Sequence, residues 1–273
     1  MLDLTVTGGL RRILQQPKIF PYANAVRESI SPACRRARKE RILFYRDVVK
    51  PGALVFDVGA NIGNRSEVFL ALGAQVVAVE PQPLCAATLT QRFGSHRNFT
   101  LVRAGLGDKS GTASLHLASQ HVLASMSREF INRSHYAGNS WTGKVEVRVT
   151  TLDSMISVFG IPDFCKIDVE GYEYETLQGL SQAIPALSVE FNPAMRDMTI
   201  KCFERLNSLT TYRYAFSPGE SMRPARAWFN HDRAVSMALD KDQPWGDFYA
   251  VACQSLESGA SELSAQESDL ARK

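Results

Sequence analysis

Val55-Phe56-Asp57-Val58-Gly59-Ala60-Asn61-Ile62-Gly63-Asn64 is an apolar strand that runs into a glycine turn and opens a helix. Gly59 and Gly63 let backbone approach a ligand closely, and Asn61 is one of the few non-glycine residues that tolerates a left-handed conformation. Such a turn at the carboxyl end of a first strand is where α/β sheets bind nucleotide-like ligands. Working outward, short β-branched runs alternate with helix-length segments: 54–58, 67–72, 75–80, 84–93 and 99–102. That is βαβαβ, which needs crossover helices and gives a parallel sheet. Upstream, Lys50-Pro51-Gly52 breaks the chain after a helical, basic stretch containing Arg35, Arg36, Arg38, Lys39 and Arg41. Those cations read either as a solvated helix face or as a contact for a polyanion or acidic substrate.

Downstream, 112–117 and 145–149 alternate at period two, as an antiparallel excursion does, around a polar stretch from Ser119 to Thr142 that reads as a mobile loop. Strand and helix then resume: helix 152–159, strand 164–168, helix 173–182, strand 187–191 and helix 199–209, with closing strands at 211–216 and 248–253. The expected organisation is a helical extension over 1–50, one α/β domain over 51–253 and a disordered tail over 254–273, which has almost no large apolar residue to bury. The 273 residues carry 31 Lys and Arg against 28 Asp and Glu, and 45% are apolar. This excludes an intrinsically disordered chain and argues against one that wraps duplex nucleic acid. Met1–Lys50 holds 11 basic and 4 acidic side chains (+7), 51–253 holds 18 and 20 (−2), and the tail holds 2 and 4 (−2), so the net +3 comes from the extension. Five scattered cysteines without a CxxC read as reduced thiols, and no apolar run reaches 18 residues. A cytoplasmic location is expected.

The glycines of the turn fall as GxxxG rather than GxGxxG, and Asp57 would repel a pyrophosphate. An acid there suits a cationic cofactor without phosphate, which describes S-adenosylmethionine, although a capping carboxylate in a structural turn would look the same. Glu80 ends the second strand before Pro81, placed to accept both hydroxyls of a ribose. Asp108 could accept from an adenine amino group or serve simply as a turn residue.

DVGANIGN, VAVEPQP, AGLGDKSGTASL, VTTLDSM, CKIDVEGYEYETLQG and SVEFN, spread over Ala53 to Asn192, together resemble the FkbM-type methyltransferases. The resemblance implies a Rossmann-like class I methyltransferase fold with a mostly parallel seven-stranded sheet flanked by helices. It also implies S-adenosylmethionine as cofactor, a hydroxyl of a small molecule, sugar or glycan as acceptor, and cofactor contacts at Asp57, Gly59, Asn61, Gly63, Glu80 and Asp108. Cys165 and Tyr172 depart from the family's habit of a branched aliphatic and a small residue, which bears on the acceptor pocket rather than on the cofactor.

Methyl transfer requires the acceptor oxygen to be aligned and its proton removed. Asp168 and Glu170, at the end of the fourth strand, are candidates for that base, since two close acids raise one another's pKa. They could instead hold a divalent cation, but no third ligand is evident. Glu190, beside Asn192, is a further candidate for the catalytic set or a strand-end acid. His121 and His135 in the polar loop are reserve bases, and Ser125 and Ser127 could contact cofactor or substrate. Rival readings are a nicotinamide-dependent oxidoreductase on a similar sheet and an inactive methyltransferase-like binding module. Oligomeric state is left open, and nucleic acid is not expected as a partner.

Overall fold

The structure is a computed structural model that describes residues 32–118, 123–133, 141–219 and 228–253. The tail and most of the N-terminal extension lie outside these residues, as do His121 and His135.

Helix α1 (Pro32–Tyr45) precedes the alternating core: β1 (Leu54–Val58), α2 (Asn64–Ala71), β2 (Gln75–Val79), α3 (Pro83–Phe93) and β3 (Phe99–Val102). Then come β4 (Gly105–Leu106), β5 (Gly111–Ala118), β6 (Ala124–Ser125), α4 (Arg128–Arg133) and β7 (Trp141–Thr150). The chain finishes with α5 (Leu152–Phe159), β8 (Phe164–Ile167), α6 (Glu173–Gln178), β9 (Ala186–Phe191), α7 (Arg196–Leu209), β10 (Tyr212–Pro218), α8 (His231–Leu239) and β11 (Gly246–Ala252).

The main sheet has seven strands in the order β10-β11-β9-β8-β1-β2-β3. The pairs from β3 across to β9 are parallel, and β11 alone is reversed between β9 and β10. This is the doubly wound, mostly parallel seven-stranded sheet expected from the sequence. The chain leaves β1 toward β2 and β3, then returns to lay β8 on the other side of β1, so a crevice opens where β1 and β8 end.

Alternation along each strand assigns the two faces. Phe56, Val58, Cys165, Ile167, Leu187 and Val189 pack with residues of α5 to α8. On the opposite face Val55, Val76 and Phe164 pack with Val68 and Phe69 of α2 and with Tyr45 and Val49. Tyr45 is fully buried and its hydroxyl meets that of Tyr249 at 3.2 Å, which docks α1 onto the sheet.

The period-two segments form a separate four-stranded sheet, β4-β7-β5-β6, antiparallel except for β4 on β7. The expectation of a mobile loop over 119–142 fails for 123–133. There β6 pairs with β5, Phe130 is fully buried, and the Ser127 hydroxyl accepts from the Phe130 N–H. The polar composition that suggested a loop is used to satisfy buried backbone. Among the described residues, no helix is long and apolar enough to cross a membrane.

Candidate active site

The glycine turn takes the conformation its residues allow, with φ of 77° at Gly59, 52° at Asn61 and 89° at Gly63. A Cβ on Gly59 would lie 1.8 Å from the Asp168 carbonyl oxygen, so glycine is what lets the turn after β1 touch the end of β8. A Cβ on Gly63 would strike Leu89 and Phe93, so that glycine serves the packing of α3. Glu80 ties the turn down: one carboxylate oxygen accepts the Asn61 N–H and the other the Gln82 N–H, both at 2.7 Å.

A pocket opens between the ends of β1, β2 and β8, walled by Val79, Leu106, Leu115 and Met126 and reached by Gly59 and Asn61. Its charged lining residues are Glu80, Asp168 and Glu170, all acidic. The structure therefore brings five of the expected residues together there: Gly59, Asn61, Glu80, Asp168 and Glu170. Gly63 lies in the turn just behind the wall.

Asp57 is placed elsewhere. It shares the face of Val55, beneath α2, where one oxygen accepts from the Ser66 hydroxyl at 2.6 Å and the other has no partner among the described residues. Asp108 is carried away because β4 joins the second sheet and Gly107 bonds to the Thr150 carbonyl. It lines a separate surface hollow with Tyr174 and Lys201. Glu190 is not on the pocket wall, but it lies close enough for the charge of Asp168 to raise its carboxyl.

The Asp168-Val169-Glu170-Gly171 loop is held by Glu173, which sequence reasoning passed over, and by Ser125, which it offered as a cofactor or substrate contact. Glu173, in the first turn of α6, accepts the N–H groups of Val169 and Gly171 with one oxygen. The Ser125 hydroxyl, 1% exposed, donates to the Glu170 carbonyl at 2.7 Å. Together they hold Glu170 at φ 55°, an uncommon conformation for a non-glycine residue and one that clusters at functional sites. An acid three residues beyond Glu170 and two beyond a glycine was the available signal for Glu173, while for Ser125 polarity marked the residue but not its partner.

Beneath the loop lies a buried charged seam. Lys166 sits directly across the strands from Asp57, is 3% exposed, and donates to Asp168 at 2.6 Å. Burial alone would raise the Asp168 carboxyl, but the Lys166 ammonium, its hydrogen bond and Arg65 bring it below the ordinary range. Glu170 and Glu190 go the other way, pushed well up by burial and then by the charge of Asp168. Burial also lifts Glu80 and Glu173 to about 7 and raises Asp57.

Carboxyls raised in the folded state favour folding where they are protonated, below about pH 4.5, and that contribution is lost as pH climbs through about 7. The opposing contribution of Asp168 is lost only as pH falls through the acid range below the usual carboxylate pKa. The ligand-free protein is therefore expected to have a higher urea midpoint at pH 5.5 than at pH 8. Equal midpoints would mean that these carboxyls titrate normally.

The methyltransferase FkbM domain family matches residues 57–214, more than half of the 273. The chain belongs to that family. As an FkbM-domain methyltransferase it takes S-adenosylmethionine as cofactor. Comparison with the curated proteins gives no match. Among solved structures, precorrin-6y C5,15-methyltransferase of Geobacter metallireducens is 13% identical, with 78% of this chain and 87% of that one covered and a TM-score of 0.42. A putative rRNA methylase of Clostridium thermocellum is 11% identical, with 77% and 92% covered and a TM-score of 0.43.

The pocket of this FkbM-domain chain fits its cofactor. Among the described residues the charged lining is Glu80, Asp168 and Glu170 with no arginine or lysine, which suits a ligand that carries an ammonium and a sulfonium and no phosphate. Glu80 lines the pocket with a carboxylate, and Leu106, Leu115 and Met126 give it an apolar wall, as a ligand with both hydroxyls and an aromatic base requires. Among the described residues, no three His, Cys, Asp or Glu side chains converge to hold a metal ion.

Proposed function

We propose that this FkbM-domain protein methylates a hydroxyl oxygen on a small molecule, sugar or glycan, with Glu170 as the base. When bound, S-adenosylmethionine supplies an electrophilic methyl carbon and leaves as S-adenosylhomocysteine. Gly59, Asn61 and Glu80 hold it by backbone approach and carboxylate. Asp168, kept anionic by Lys166, holds the cation at the pocket floor. The observation that carries the reading is Glu170, an acid on the pocket wall fixed at φ 55° with its carboxyl raised by burial. An alcohol is a poor nucleophile until its proton has somewhere to go, and a carboxylate made more basic by a dry site meets that need. Glu190, near Asp168 but off the wall, is the further acid of the catalytic set. Asp57 acts from beneath the turn, and Asp108 serves the outer surface. A cytoplasmic location accords with the free, buried thiols of Cys85, Cys165 and Cys202.

The test joins binding to product. Calorimetry with S-adenosylhomocysteine is expected to show one site, weakened about tenfold or more by Glu80→Gln, which removes a charged acceptor. Incubation with methyl-labelled cofactor and a small-molecule or glycan extract is expected to yield a product one methyl group heavier, labelled on oxygen. Label on carbon, nitrogen or RNA would overturn the acceptor class. Binding with no labelled product from any fraction would mark an inactive binding module.

A further inference from the structure

The cofactor turn is held from a side that nothing above uses. Arg92, near the end of α3, donates through one terminal nitrogen to the Ile62 carbonyl at 2.5 Å, inside the Gly59–Gly63 turn. Its other terminal nitrogen pairs with Glu67 of α2 at 2.9 Å, and the guanidinium lies over the Phe93 ring. The second Glu67 oxygen accepts from Arg38 of α1 at 2.6 Å. Exposure of these side chains falls from 44% at Arg38 through 30% at Glu67 to 11% at Arg92, so the chain of charges leads inward from the basic helix to the turn.

We infer that Arg92 is a positioning residue for the cofactor turn, and that α1 sets cofactor affinity through the Arg38–Glu67–Arg92 relay. The turn has three residues at positive φ; besides the Gly59 and Ala60 N–H groups on the Val79 carbonyl, side chains from outside it hold its backbone at two adjacent positions, Glu80 at the Asn61 N–H and Arg92 at the Ile62 carbonyl. Glu80 also faces the ligand, so its geometry and that of the turn are set together. Removing Arg92 frees the Ile62–Gly63 peptide, one residue beyond Asn61 in the same turn, and the cost of re-ordering the turn then falls on binding. Glu67 fixes which way the Arg92 fork points, and Arg38 does the same for Glu67. The basic extension thus acquires a role inside the protein, in addition to any anionic partner.

The inference rests on the cofactor lying beside Glu80 and the turn. S-adenosylhomocysteine is titrated by calorimetry into the full chain at low salt, with thermal midpoints recorded alongside. Arg92→Met is expected to weaken binding about 10–100-fold, the range for a lost charged hydrogen bond. Arg92→Lys, which keeps the charge but not the fork, should recover part of the loss. Glu67→Gln, more exposed and less prone to misfold, is expected to lose about tenfold. Arg38→Met should lose about two- to fivefold, and that difference should vanish at high salt because the pair is exposed. If Arg92→Met and Glu67→Gln lower the thermal midpoint yet bind like the wild type while Glu80→Gln loses affinity, the relay is structural and the inference fails. If Glu80→Gln also binds normally, the placement of the cofactor fails with it.

Discussion

Glu170→Gln is expected to bind S-adenosylhomocysteine as the wild type does while losing about 10²–10⁴ in methyl transfer, the usual worth of a positioned general base. The amide keeps the size and the hydrogen-bonding outline of the acid. The main-chain clamps, Ser125 on the Glu170 carbonyl and Glu173 on the flanking N–H groups, do not involve the substituted side chain. Loop geometry should therefore survive, and the loss should appear in kcat. Because burial and Asp168 raise the Glu170 carboxyl, the wild-type rate should climb with pH above the ordinary glutamate range, and that limb should disappear in the variant. Full turnover by Glu170→Gln would move the base to another group, and His121 and His135 would be next to test.

Lys166→Met should be the most destabilising single change in the sheet, by about 3–5 kcal/mol, as when one partner of a buried ion pair is removed. Methionine matches the length of the stem, so packing is nearly conserved and charge is what changes. Lys166 lies among Asp57, Asp168 and Asp247, which all hold its ammonium protonated against burial. Without it Asp168 loses its 2.6 Å partner and is pushed toward protonation beside Glu170 and Glu190. The urea midpoint should fall, and affinity for the cationic cofactor should fall with it. A midpoint unchanged from wild type would mean that the seam is balanced without the lysine. Lys166→Arg is no rescue, because the guanidinium is larger and the site is 3% exposed.

Much of this arrangement was legible in the chain. The turn from Gly59 to Gly63 gave itself away because glycine and asparagine are the residues that accept positive φ. Helix 152–159 was readable to its ends because Thr151 caps it and Gly160 stops it. What pattern could not supply was direction. Asp57 and Glu80 look equivalent as strand-end acids, yet Asp57 sits one residue before the end of β1 and alternation turns it under α2, while Glu80 follows β2 and reaches the pocket. Asp108 lies off the pocket for a different reason: two residues at Gly105–Leu106 cross into a second sheet and turn the chain away. Lys166, Glu173, Ser125 and Arg92 act through partners 2 to 45 residues away in sequence or on other elements, and no local pattern marks such pairings. The N-terminal cations read as a surface feature, and the docking of α1 through Tyr45 could not be inferred from them.

The reversed strand has a consequence for how the molecule is made. β11 is the last strand among the described residues, yet it lies between β9 and β10, which are not paired with each other. Until residue 252 has left the ribosome, β9 must wait with one edge unpaired, its Leu187, Val189 and Phe191 destined for full burial. An open apolar edge is a template for other chains, so the nascent protein is exposed to association from the completion of β9 until β11 has emerged. For the same reason a fragment trimmed to residues 57–214 would carry the family's signature and lack the strand that closes its sheet.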